Sequence, residues 1–368
     1  MKRTHATVGV TLAGLLALTL AACGSDDATG TGSTPGSGSS QTSSSLSGTL
    51  NGGGSSAQEK AQQAWVAGFQ TANPDTTVNY STTDSGAGRK GLLDGSLDFA
   101  GTDSALTEEE LASATDRCYG GAAIDLPVYI SPIAVAFNIE GVTELKLSAD
   151  VVAKIFAGKI TAWDDPAITE ANPDAKLSGA ITVVHRSDDS GTSKNFQDYL
   201  SKAAADVWTY EVSNTWPVSV GQGANGTSGV VQTIQSAPGT IGYADASAVG
   251  SLGKVSLGVG SDFVAPTADA AAKTVDVSPR DDSRAEGDIV IEVDRTTTEA
   301  GAYPAILVSY LAVCDTYDSQ EKADLVKAYA TYVAGDGQAQ AATAAGSAPI
   351  SDALRTDVLA AIDAISTK

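Results

Sequence analysis

The chain runs to 368 residues, long enough for two domains and a substantial core. Its 22 Lys and Arg against 44 Asp and Glu give a formal charge of -22. That balance argues against nucleic acid or an anionic lipid surface as partner and describes a soluble, self-repelling exterior.

At the N-terminus, Lys2 and Arg3 precede an apolar run from Val8 to Leu20, followed by Leu20-Ala21-Ala22-Cys23. A basic start, a short apolar stretch and small residues before a cut site predict an export signal over 1-22. The run is short for a bilayer span. Leu-Ala-Ala-Cys resembles the bacterial lipobox, in which the cysteine is acylated and becomes the new first residue; the other reading is a plain secretory signal. Cleavage removes Lys2 and Arg3 and leaves 20 bases against 44 acids, or -24. From Gly24 to about Ser47 the residues are mainly Gly, Ser, Thr, Asp and Pro, which cannot bury a core and predict a flexible tether. Cys23 with the tether 23-47 therefore places the folded part just outside a membrane.

Ordered sequence begins near Leu46. Thr49-Leu50 reads as a strand end before a Gly loop, and a helix is expected from Ser56, with Ala61, Ala64, Trp65, Gly68 and Phe69 on one face. The segment TTVNYSTT alternates as a strand, DSGAG turns, Lys90 to Leu93 reads as a short helix, and SLDFAGTD reads as a strand ending at Asp103. This alternation predicts parallel α/β layers. The long apolar run DLPVYISPIAVAFNIEG predicts a buried strand pair or a crossing between domains. SADVVAKIFAGKITAWDDPAI predicts a helix, a Gly stop and a tryptophan turn. AITVVHRSDDSGTS is a strand running into a loop, and Phe196, Tyr199, Leu200 and Ala203 mark one face of the following helix. Cys118 and Cys314, the cysteines left after export, are expected to pair in an oxidising compartment, against the alternative of two free thiols. No Cys/His metal spacing is present. Asp281-Asp282-Ser283 and Glu286-Gly287-Asp288 lack calcium-loop spacing and read as solvated acidic turns.

Three loops share the pattern strand, Ser/Gly/Asp-rich turn, helix: Gly52-Gly53-Gly54-Ser55-Ser56, Asp84-Ser85-Gly86, and Asp188-Asp189-Ser190-Gly191-Thr192. Each would present free N–H groups at a helix N-terminus, although each hydroxyl could equally cap its own helix. Three such loops with Arg186 beside the third favour convergence on an anion. Arg186 can donate two parallel hydrogen bonds to a tetrahedral oxyanion, with Asp188 holding the guanidinium; a purely structural Arg–Asp pair is the alternative. Asp103 would repel an anion unless the anion carries a proton, as phosphate does near neutral pH and sulfate does not. A serine hydrolase would need a base for Ser190. The only histidine of the exported part, His185, precedes Arg186 on the strand, expected on its opposite face, with no third group evident.

The segments LNGGGSS, VNYSTTDSGAG, LDFAGTDSAL, IFAGKITAWDDPAI, VVHRSDDSGTS and GTIGYAD resemble, in order, the phosphate-binding proteins of bacterial phosphate ABC transporters, from about Leu50 to the C-terminus. The resemblance implies an α/β fold of the two-lobed periplasmic-binding-protein type (type II), a clamp with the ligand cleft between lobes. One lobe is expected over 48-128 plus 268-368, the other over 129-267, so a Cys118–Cys314 bond would tie the two pieces of the first. Carried over residue by residue, the phosphate ligands fall on Ser56, Ala57, Ser85, Asp103, Arg186, Ser190, Gly191 and Thr192, with Asp188 orienting the arginine. No cofactor or metal and no enzymatic activity are implied. The expected partners are inorganic phosphate, the permease subunits and, through them, an ATPase, with the chain a monomer held to the outer face of the cytoplasmic membrane by lipidated Cys23. Two positions depart from the pattern. Ala57 replaces an aromatic, at a contact made through backbone N–H. Asp189 replaces a glycine, which would strain a positive φ and add charge near the ligand. Two other functions remain open: a receptor for sulfate or molybdate, which Asp103 argues against, and a phosphate-sensing or adhesive surface lipoprotein.

Overall fold

The computed structural model describes residues 46-368. The expected signal segment 1-22, Cys23 and the tether as far as residue 45 lie outside the described residues. Strand and helix alternate first: β1 (Gly48–Gly54), α1 (Glu59–Ala72), β2 (Thr76–Thr82), α2 (Ser85–Leu93), β3 (Phe99–Thr102) and α3 (Glu108–Arg117). There follow β4 (Ala123–Asn138), β5 (Glu144–Leu147), α4 (Ala149–Phe156), α5 (Pro166–Thr169), β6 (Thr182–Arg186), α6 (Gly191–Ala203), β7 (Gln222–Ala224), α7 (Gly226–Ser236) and β8 (Thr240–Asp245). The chain ends through β9 (Gly253–Val259), β10 (Asp262–Val264), α8 (Ala268–Asp276), β11 (Ile306–Cys314), α9 (Gln320–Ala334), α10 (Gly337–Ala345) and α11 (Asp352–Asp363).

The strands lie in the order β2-β1-β3-β11-β4-β8-β6-β7, with β9 branching from β4 and carrying β5 and β10. Pairing is parallel at β1–β2, β1–β3 and β6–β8, where helices make the crossovers. It is antiparallel where β11 meets β3 and β4, and where β4 meets β8. The fold is thus α/β with a mixed sheet, and the expectation of parallel layers holds toward its two edges and in the β5–β9 pair of the branch. The reason lies in β4, whose buried apolar run forms one continuous strand. Ala123 to Pro132 pair with β11, and Ile133 to Asn138 pair with β8. The segment is a crossing strand, with the change of partner at Pro132–Ile133. The expected boundary at 128/129 falls inside this strand, and the one at 267/268 falls at the start of α8.

Helix α1 starts at Glu59, three residues later than its apolar spacing predicts, and buries Ala61, Trp65 and Phe69 together with the polar Gln62. Helix α2 is longer than the expected 90-93. Asp84 accepts a hydrogen bond from the Ala87 N–H at 2.7 Å, and this cap starts the helix at Ser85, inside what reads as a turn. Phe69 and Phe99 pack on Tyr329 of α9 with ring centroids 5.2 and 5.1 Å apart. Beyond the crossing, Phe196 of α6 stacks on Tyr243 of β8 at 4.5 Å. Of the expected α6 face, Phe196, Tyr199 and Leu200 are fully buried and Ala203 half-buried. Asp288 corrects the reading of a solvated acidic turn. It is buried, pairs with Arg284 at 2.9 Å, and shares that guanidinium with the fully buried Asp125 at 2.7 Å. Desolvation pushes the Asp125 carboxyl up to about 7, reinforced by Asp288 and opposed by Arg284.

Cys118, at the end of α3, and Cys314, at the end of β11, form a disulfide between positions 196 residues apart, with Cα atoms at 5.2 Å. It joins the early βα units to the strand that returns near the end of the chain. Replacing both with Ser is expected to lower the unfolding free energy by about 2–5 kcal/mol. Urea unfolding of the two proteins under oxidising conditions measures the difference.

Candidate functional site

The site is built where β1, β3 and β6 end. Gly54 ends β1 at φ +132°, and a Cβ there would lie 2.1 Å from the Gly101 carbonyl oxygen, so only glycine allows the loop to lean on β3. The Ser55 N–H then donates to that carbonyl at 2.8 Å. This fixes the Ser55 hydroxyl, which accepts from the Ala57 N–H at 3.1 Å and donates to Asp103 Oδ1 at 2.6 Å. Asp103 follows β3 directly and is 2 % exposed. Its own N–H donates to the Ser85 hydroxyl at 3.1 Å, leaving the Ser85 hydrogen uncommitted. Ser309 of β11 donates a second hydroxyl hydrogen to Asp103 Oδ1 at 2.7 Å.

The third loop reaches the same point from β6 and α6. Thr192 donates to Asp103 Oδ2 at 2.9 Å. Gly191 approaches so closely that a Cβ would sit 2.7 Å from Ser85 Oγ and 2.9 Å from Asp103 Cβ. The Ser190 hydroxyl caps α6 by accepting from the Ser193 N–H at 3.1 Å, as the capping alternative allowed, and its own hydrogen stays free to donate. Arg186 and Asp188 are buried face to face: Nε donates to Oδ1 at 2.7 Å and the second nitrogen donates to Oδ2. Asp188 also accepts from the Gly226 N–H at 3.3 Å. The remaining guanidinium nitrogen points to the Thr192 hydroxyl, 3.5 Å away. From behind, the Tyr243 hydroxyl meets Ser193 Oγ at 2.6 Å and accepts from the Arg186 N–H at 3.2 Å. Burial pushes that phenol up to about 12, so it stays protonated across the physiological range.

Ser85, Asp103, Thr192, Arg186 and Asp188 are thus linked around one point that Gly191 also touches, with Ser190 capping α6 beside them. The first loop differs. Ser55, which the sequence reading did not select, faces Asp103, whereas the Ser56 hydroxyl turns to a fourth loop and accepts from the Thr227 N–H at 3.0 Å. That loop, Asn225-Gly226-Thr227-Ser228-Gly229, opens α7 and carries the same small-polar signature as the other three. Its repetition of the pattern was the available signal. Ser309 and Tyr243 lie inside apolar strands and gave none.

Asp189 is not strained: among the described residues Tyr119 is the only non-glycine at positive φ. Its carboxylate accepts from Asn214, lies 3.9 Å from Arg89 and is 54 % exposed, so its charge is partly answered away from Asp103. His185 stacks on Trp216 at 5.4 Å and its Nδ1 contacts the Arg186 carbonyl at 2.9 Å, which leaves Ser190 without the base that nucleophilic catalysis requires. No group of three or more metal-ligating side chains occurs among the described residues. The site offers hydroxyls, one guanidinium, helix N-termini and a single acceptor carboxylate, the set that suits a small tetrahedral oxyanion carrying a proton.

The chain matches the family model described as a PBP superfamily domain over residues 39-337. It is 36% identical to phosphate-binding protein PstS 3 of Mycobacterium tuberculosis over 100% of both chains. It is 31% identical to phosphate-binding protein PstS of Methanocaldococcus jannaschii over 75% of this chain and 76% of that one. Among solved structures it resembles a high-affinity periplasmic phosphate-binding protein (PfluDING) bound with phosphate: TM-score 0.72, 21% identity, covering 85% of this chain and 93% of that one.

The two adjacent acids of the third loop should behave differently. Asp188→Ala leaves a buried guanidinium unpaired and is expected to cost about 3 kcal/mol or more. Asp189→Ala, at a half-exposed position, should change stability by less than about 1 kcal/mol. Urea unfolding of the two variants checks the contrast.

Proposed function

The chain belongs to the PstS phosphate-binding proteins of the PBP superfamily, and we propose on that basis that it captures inorganic phosphate outside the cytoplasm and delivers it to an ABC permease. It is a binding protein, not an enzyme. The observation that carries the reading is Asp103: a buried carboxylate whose Oδ2 takes the Thr192 hydrogen, at the point where Arg186 and the N-terminus of α6 converge. When phosphate arrives, its P–O–H replaces the Thr192 hydrogen on Oδ2. Thr192, Ser85, Ser190, the Gly191 N–H and Arg186 then donate to the other oxygens, while the Ala57 N–H stays on the Ser55 hydroxyl. Ser56 takes part through its backbone N–H, since its hydroxyl is held by Thr227. Sulfate brings no hydrogen for Oδ2 and meets a like charge, so the site rejects it.

We assign residues 48-128 plus 268-368 to one lobe of a clamp and 129-267 to the other. Thr192–Asp103, Ser56–Thr227 and Gly86–Asp189 then bridge the lobes, so opening breaks these hydrogen bonds and a bound oxyanion adds further ones. Acylation of Cys23 in the Leu-Ala-Ala-Cys segment holds the monomeric receptor at the outer face of the cytoplasmic membrane.

Calorimetric titration at neutral pH, after removal of any bound phosphate, tests the reading. Phosphate should bind tightly while sulfate gives no heat. Asp103→Asn should narrow the phosphate-to-sulfate ratio at least about tenfold, because the acceptor and its charge are lost together. Equal binding of the two ions by the unmodified protein would move it to a different oxyanion class.

A further inference from the structure

Behind Asp103 lies a chain of buried polar side chains that ligand binding alone does not require. The Tyr329 hydroxyl donates to Gln62 Oε1 at 2.8 Å, and Gln62 Nε2 donates to Gln58 Oε1 at 2.7 Å. Gln58 Nε2 donates to the Ser309 hydroxyl at 2.6 Å, and Ser309 donates to Asp103 Oδ1 at 2.7 Å. Gln58, Gln62, Ser309 and Tyr329 are each 1 % exposed or less. Four polar side chains in an apolar core are costly unless each is satisfied, and here they satisfy one another.

The direction of the chain is fixed. Gln58 Nε2 also donates to the Tyr310 carbonyl at 3.0 Å; a carbonyl can only accept, so the amide nitrogen must face β11. That orientation turns Gln58 Oε1 toward Gln62, whose nitrogen must then face Gln58 and whose oxygen must face Tyr329. Ser309, receiving a hydrogen from an amide that cannot accept one, must point its own hydrogen away. It has two acceptors in reach, Asp103 Oδ1 at 2.7 Å and the Thr102 carbonyl at 3.2 Å, and the nearer is the carboxylate. Ser55 is constrained likewise, because its oxygen is taken by the Ala57 N–H. Oδ1 thus receives two hydrogens whose directions are set from behind, and Oδ2 alone faces the ligand.

We propose that Tyr329, Gln62, Gln58 and Ser309 form a one-way hydrogen-bond relay of positioning residues that keeps Asp103 Oδ1 a pure acceptor and so sets the discrimination between protonated and unprotonated oxyanions. The proposal rests on Asp103 receiving the ligand's proton. Two hydrogens donated to Oδ1 favour the charged form of a carboxyl group, so Oδ2 presents a lone pair and not a hydrogen to the oxyanion. Reversing the relay frees Oδ1 and relaxes that discrimination.

Gln58→Glu turns the step to Ser309 at nearly constant shape: a carboxylate oxygen there gives up the donations to Ser309 and the Tyr310 carbonyl and accepts the Ser309 hydrogen, drawing it away from Asp103. Phosphate and sulfate affinities are measured by calorimetry for the unmodified protein, Gln58→Glu, Ser309→Ala and Tyr329→Phe, with thermal unfolding of each recorded separately. Gln58→Glu and Ser309→Ala should lower the phosphate-to-sulfate ratio about tenfold, the loss of one hydrogen bond to a charged group. Tyr329→Phe keeps the ring packed on Phe69 and Phe99, and should shift the ratio the same way by a smaller factor. Should either of the first two fail to fold, Tyr329→Phe carries the test. Ratios within twofold of the unmodified protein in every folded variant overturn the relay while leaving the phosphate reading intact. Absence of phosphate binding by the unmodified protein overturns both.

Discussion

A buried carboxylate at the proposed anion seat is the constraint on which the rest of this structure turns. Asp103 is almost fully enclosed, and a charge so placed persists only if hydrogen bonds replace the water it has lost. Ser55, Ser309 and Thr192 supply three hydroxyl hydrogens, drawn from β1's loop, β11 and α6. Bringing those elements to one point dictates much of the local architecture. Gly54 must lack a side chain so that its loop can lean on β3, and Gly191 so that α6 can reach Ser85 and Asp103. The antiparallel return of β11 beside β3 sets Ser309 facing the carboxylate, which no purely parallel arrangement of the early βα units would do.

The same constraint explains what could be read from the residues. Local chemistry was legible: the loop at Asp188 to Thr192, the arginine at the end of β6 and the strand ending at Asp103 each carry their meaning within a few positions. So were the apolar faces of α1 and α6, because helical spacing repeats within a turn. The extent of α2 was hidden because Ser-Gly-Ala-Gly has weak helix propensity and the Asp84 cap outweighs it. Which hydroxyl of the Ser55-Ser56 pair faces the carboxylate depends on the path of the loop after Gly54, a tertiary contact with no trace in composition. Ser309 sits inside the run ILVSYLAVC, where a lone serine looks like an exception in a core strand. Its partner is 206 residues away, and nothing local announces it.

Long strands link the site to the rest of the molecule. β4 pairs with β11 over its first part and with β8 over its second, and Arg295 connects the two regions again: its Nε pairs with Asp198 of α6 at 2.9 Å, while a second nitrogen donates to the carbonyls of Pro304 and Ile306 beside β11. Side chains that touch the proposed ligand are therefore held by elements from both ends of the crossing, and the Cys118–Cys314 bond secures the end of β11 opposite the site.

The acidic surface and the anion seat are compatible because they act over different distances. The formal charge of -22 belongs mostly to exposed carboxylates, whose field is screened within about 8 Å at physiological ionic strength. Inside the cleft, Arg186 is buried and held by Asp188, so the pair presents little net charge but one fixed donor nitrogen. In the proposed role, an oxyanion arriving there meets oriented hydrogens rather than a positive field. In the proposed receptor, selection rests on the number and direction of donors and acceptors, and the hydrogens that reach Asp103 decide which ion fits.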